Sequence, residues 1–274
     1  MNAARRAPEE VVADLAERLA AYVERYEAAH DTRAVFAYLY LELTRTLATS
    51  LAVGEPRFGD PRWVAGLAER LAAEYFTATD AMDAWRDETR GVVPLTSADD
   101  IPSDVPEPWR EVFWAISEGR SYVLEDALFS MMAHISYDLP LALRRMSRRT
   151  DVAAHLADFH GMNDVLGAAV DVVQGELADR YCWWLASLDH LLARDDELLS
   201  NYGVRVARGM AWYNFQRLLD ADTVADAERS IRTSTGSFIR QVREPGNWVL
   251  SAGLRTARTF VPERRRWPPA GSRP

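Results

Sequence analysis

The sequence predicts an all-α protein, a single irregular multi-helix bundle with one long Pro/Asp-rich loop. Two observations carry that reading. Apolar residues recur at spacings of three and four over nearly the whole chain. Neither a convincing strand pattern nor a Gly-rich phosphate loop interrupts them.

The elements follow in order. Residues 8–29 place Val11, Leu15, Leu19, Val23 and Tyr26 on one stripe, with Pro8 at the start and Glu9 and Glu10 near the positive end of the helix dipole. Asp31 caps a second helix, 32–52, carrying Val35, Phe36, Leu39, Leu43 and Leu47. Gly54-Glu55-Pro56 ends it, and Asp60-Pro61 opens a third helix over 61–88. Residues 90–108 hold four prolines and three aspartates, a loop long enough to act as a lid over a pocket. Helices resume over 108–119, 121–146, 159–194, 196–220, 222–243 and 246–258. We assign residues 1–260 to one helical domain and expect 261–274, rich in Arg and Pro, to be a disordered tail.

Composition narrows the chemistry. Hydrophobic residues make up 48% of the 274, enough for a core. All 32 basic residues are arginines, so lysine Schiff bases and P-loop chemistry are excluded. With Cys182 alone, no intrachain disulfide or cysteine zinc cluster can form. A formal charge of -9 argues against nucleic-acid binding. No uninterrupted apolar run is long enough to span a membrane, and the N-terminus lacks the apolar core of a signal peptide, so a cytoplasmic protein is expected.

Any metal must therefore be held by the five histidines and the carboxylates. His134 and Asp138 lie four apart on an apolar helix, share a face, and suit metal ligation or a neutralised core pair. Pro140 should kink the helix beside them. A second cluster, His155, Asp158, His160 and Asp164, offers further ligands, although Asp158 and Asn163 also suit helix capping. Asp60 reads as an N-cap and is kept as a candidate ligand. Glu42 reads as a partly buried acid or a solvated one. Glu27 and His30 fit a helix junction better than half of a di-iron motif. His190 reads as a helix-surface residue or part of an interhelix pair. Met131, Tyr137, Met162 and Trp183 are expected to line a wide apolar pocket.

Four pieces carry a resemblance: Phe58-Gly59-Asp60-Pro61-Arg62-Trp63, Glu74-Tyr75-Phe76, Met131 through Pro140, and Asp158-Phe159 with Asn163-Asp164. In that order they resemble an actinobacterial all-helical family of unknown function, over residues 35–190. The chain is also similar to the non-haem di-iron monooxygenases of platensimycin and platencin biosynthesis. That resemblance implies two iron ions held by His134, Asp138, Asp158 and His155, with O2 as co-substrate. It implies hydroxylation of a diterpenoid carried as a coenzyme A thioester, and a separate electron donor or reductase. A weaker resemblance to zinc-dependent phospholipase C rests on the His-x-x-x-Asp spacing alone; such sites use more histidines than this chain has. Two alternatives stay open: a metal-dependent phosphoester or thioester hydrolase, and a metal-free helical ligand-binding protein. A homo-oligomer is compatible with either.

Overall fold

A computed structural model of the chain describes residues 6–53, 57–89, 95–118, 121–182, 201–244 and 265–268. It is an all-helical bundle, as the periodicity predicts. The helices are α1 (Pro8–Ala28), α2 (Ala34–Ala52), α3 (Pro61–Thr89), α4 (Glu107–Ser117), α5 (Val123–Ala133), α6 (Leu139–Ser147), α7 (Leu156–Tyr181), α8 (Asn201–Arg217) and α9 (Val224–Arg243). Expected helices over 183–200 and 246–258 lie outside the described residues.

Helix α1 starts at Pro8, and Glu10 reaches back to accept the N–H of Ala7 at 3.1 Å, closing the exposed end of the helix. Its apolar stripe packs on α2 and α3. A buried ion network locks this corner: Arg33 lies between Asp31 at 2.8 Å and Asp83 of α3 at 2.6 Å. Glu27 ties α1 to α7 by accepting from Arg180 at 2.7 Å and from the Tyr181 hydroxyl at 2.6 Å. Glu27 is thus a clasp between helices, not a metal ligand.

Helix α2 is buried on almost every side, because α1, α5 and α7 all pack against it. Leu39 and Leu41 are sealed from solvent, and each such leucine stabilises the fold by about 1.5–3 kcal/mol. The expected single helix 121–146 is broken in the middle. Between α5 and α6, residues His134–Asp138 form a π-helical turn in which Leu139 N–H reaches the His134 carbonyl. Pro140 supplies the reason: it has no N–H for the Ser136 carbonyl, so the ladder widens just before it. This turn packs against α3, α8 and α9, at the centre of the bundle.

Two segments expected as loop and tail are packed where they are described. Within the expected loop, the described residues 95–106 are packed on the bundle. Ala98–Asp100 form a 3-10 turn held by Asp100, Ile101 and Val105 are buried, and the turn packs on α4. The tail is seated over residues 265–268: Arg265 pairs with buried Asp126 at 2.5 Å, and Arg266 N–H donates to the Tyr181 carbonyl at 2.8 Å. Trp267 stacks on His30, whose φ of 53° turns the chain between α1 and α2. Among the described residues no helix is long and apolar enough to cross a membrane.

A buried His–Asp pair at an apolar cavity

The π turn brings His134 and Asp138 together, both sealed from solvent. His134 Nδ1 lies 3.1 Å from Asp138 Oδ2. Trp109 of α4 donates its indole N–H to both Asp138 oxygens, at 3.1 and 3.0 Å. The imidazole is walled by the rings of Tyr40, Phe36, Tyr75 and Trp109, with centroids 4.5–6.5 Å away. Burial favours the uncharged form of each partner. It pushes His134 down to about 3, helped by the Arg208 charge, and raises Asp138 well above the ordinary carboxylate range against the pull of the Trp109 hydrogen bond.

With Nδ1 engaged by Asp138, His134 Nε2 is left buried and without a partner. It lines a cavity between α2, α3, α5, α7 and α8. The cavity measures about 60 Å3, and its walls are Phe36, Leu43, Leu71, Met131, Met162, Val204 and similar side chains. Two other lining residues also bury polar atoms without partners, Tyr40 Oη and Arg208 Nη2. Native interiors seldom leave such atoms unpaired. Three of the residues that bury such an atom line this one cavity.

Arg208 is 2% exposed on α8. Its Nε donates to Asn163 Oδ1, and its guanidinium lies 4.5 Å above the Phe159 ring. Phe159 and Asn163 are one turn apart on α7, so the Asp-Phe-x-x-x-Asn piece of the sequence is the cradle of this arginine.

The second expected cluster is a separate structural unit. Asp158 accepts the N–H of Gly59 at Oδ1, 2.6 Å away, and of Asp60 at Oδ2, 3.1 Å away, and His155 Nδ1 lies 3.3 Å from the same Oδ2. Asp60 caps α3 by accepting from Arg62 N at 3.0 Å and Trp63 N at 3.1 Å. His155 stacks on Trp63 with centroids 4.9 Å apart. These residues seat the 57–60 loop on α7. His160 borders Asn163, with 3.5 Å between His160 Nδ1 and Asn163 Nδ2, and exposed Asp164 pairs with Arg205 at 2.7 Å. Glu42 is a half-buried acid paired with Arg45 at 2.7 Å.

Among the described residues no three His, Cys, Asp or Glu side chains converge as a metal site. His134 offers one nitrogen of suitable chemistry, oriented by a carboxylate as metal-bound imidazoles are. His190 and Trp183 lie outside the described residues. Of the expected pocket residues, Met131 and Met162 line the cavity. Tyr137 instead joins a small satellite cluster with Leu141, Leu218, Ala227 and Ile231.

Sequence reasoning missed Arg208, Tyr40 and the role of Trp109. Arg208 had a legible signal. Val204, Arg208, Ala211 and Phe215 sit at i, i+4, i+7 and i+11, so the arginine interrupts the buried stripe of α8.

Fold and site together define an all-helical protein with a buried histidine–aspartate pair opening on an apolar cavity. The chain belongs to the family of unknown function DUF5995, whose model matches residues 12–245. No curated protein and no solved structure matches it.

Proposed function

We propose that this protein is an enzyme that takes a small, mainly apolar molecule into the cavity, where His134 meets it. The observation that carries this reading is that His134, Tyr40 and Arg208 line one apolar cavity and each buries a polar atom, Nε2, Oη and Nη2, without a partner. A few polar groups placed in an apolar pocket are the usual pattern of small-molecule recognition. Asp138 orients His134, and Trp109 holds Asp138, so the imidazole meets the ligand in one fixed pose. A neutral imidazole there accepts or donates one hydrogen bond and can move a proton at Nε2.

Calorimetric titration with octan-1-ol tests the reading. Saturable uptake by the intact chain, lost when Met131→Trp fills the cavity, supports it. Absence of uptake, or uptake that Met131→Trp leaves unchanged, contradicts it.

A second reading is oxygenation of an apolar substrate with O2 at two irons, fed by a separate reductase. It is favoured by the carboxylate-backed His134 and by the resemblance of the His-x-x-x-Asp-Leu-Pro segment to the di-iron monooxygenases. It needs donors beyond His134 and Asp138. Anaerobic loading with Fe(II) and metal analysis decides: two-iron stoichiometry that falls in His134→Ala supports it, and stoichiometric zinc without iron removes it. A coenzyme A thioester would remain to be identified as the substrate form by activity.

A further inference from the structure

We propose that Arg208 anchors a single negative charge on an otherwise apolar ligand, so that the cavity takes an amphipathic monocarboxylic acid. This rests on the reading of the cavity as a small-molecule site.

A guanidinium is rarely buried without a counter-charge, because desolvating the ion is costly. Arg33, Arg180, Arg243 and Arg265 obey that rule: each is largely buried, and each meets a carboxylate within 2.8 Å. Arg208 is the exception among the described residues. It makes no ion pair, and its recorded partners are neutral: the Asn163 amide and the Phe159 ring. The groups whose charge it feels or perturbs are Tyr40 and His134, both kept neutral by burial. Desolvation lowers Arg208 itself to about 10, which leaves it charged at neutral pH.

The geometry fixes that charge in place. Asn163 holds Nε from one side and Phe159 supports the plane, while Nη2 stays buried without a partner and the residue lines the cavity. The rest of the wall is apolar except Tyr40 and His134, which can hydrogen-bond the same head group. One guanidinium balances a carboxylate, whereas a phosphate dianion would leave charge unpaired in an apolar wall. The remaining lining, Leu43, Leu47, Leu71, Leu166 and Val170, would face the hydrocarbon part.

The test titrates the intact protein at neutral pH with octanoate, octan-1-ol and octyl phosphate. Octanoate should bind about tenfold tighter than octan-1-ol, the size of one charge-assisted hydrogen bond, and tighter than octyl phosphate. Arg208→Met should erase the preference for the acid and keep octan-1-ol affinity. It should also melt no lower than wild type, since it removes an uncompensated charge. A merely structural arginine would instead lower the melting temperature when replaced. Octan-1-ol binding as tightly as octanoate, a preference for octyl phosphate, or a preference for octanoate that survives in Arg208→Met overturns the inference while sparing the cavity reading. Failure of all three ligands to bind overturns both. Should Arg208→Met not fold, the wild-type comparison of acid with alcohol decides alone.

Discussion

Trp109 donates one indole N–H to both oxygens of Asp138, at 3.1 and 3.0 Å. That bond joins α4 to the π turn and sets the chain Trp109–Asp138–His134, which ends at a buried nitrogen on the cavity wall. Replacing Trp109 by Phe keeps a ring but strips the buried carboxyl of its indole donor. We expect destabilisation of about 1–3 kcal/mol, the cost of leaving a buried polar group unsatisfied. Urea unfolding of Trp109→Phe measures it; an unchanged midpoint would show that the bond carries no stability.

Asp158 gives a contrasting prediction, because it works on backbone and not on ligand. Its two oxygens accept the Gly59 and Asp60 N–H groups that seat the 57–60 loop. Asp158→Ala should destabilise by about 2 kcal/mol, two modest hydrogen bonds, yet leave octan-1-ol affinity unchanged. Loss of ligand uptake in a folded Asp158→Ala protein would place this residue in the site.

Gly161 reports on the same loop. A Cβ there would lie 3.1 Å from the Phe58 ring and 3.3 Å from the Arg57 carbonyl. Alanine gains about 1 kcal/mol of helix propensity, but overpacking against backbone costs about 1–3 kcal/mol. Net destabilisation is expected for Gly161→Ala, seen as a lower melting temperature; a higher one would mean the loop yields.

Glu74 supplies the pH prediction. Burial raises it to about 7 despite Arg145 at 2.7 Å. A carboxyl raised in the folded state binds a proton that the unfolded chain has already lost, so stability falls as pH rises from about 4.5 to about 7. Glu74→Gln lacks this titration. Its stability relative to wild type should increase across that window and level off above it, as read from urea midpoints at stepped pH. A flat difference would show that Glu74 ionises normally.

The fold was largely legible because helical periodicity is local: the spacings that predict α1, α2 and α3 are the ones that pack. The π turn was half-legible. Pro140 announces a disturbance beside His134 and Asp138, but whether a helix kinks or widens depends on what α3, α8 and α9 place around it. The His134–Asp138 pairing follows from a four-residue spacing. The partition between that pair and the Asp158 cluster does not, since His155, Asp158 and Asp60 are equally good ligands in a string of letters. Only the fold shows that Asp158 and Asp60 spend their oxygens on backbone N–H groups. Trp109 and Arg208 come from helices remote in sequence, so their convergence on the pair and the cavity is a tertiary fact.

The most direct test of the central claim is a long-range proton–nitrogen correlation spectrum of the histidine side chains, titrated with acid and with octan-1-ol. The account predicts that His134 stays neutral until close to pH 3, and that its Nε2 resonance moves as octan-1-ol saturates the cavity while His155 and His160 hold still. A His134 that titrates near the ordinary 6.5, or an Nε2 that does not respond at ligand saturation, would contradict it.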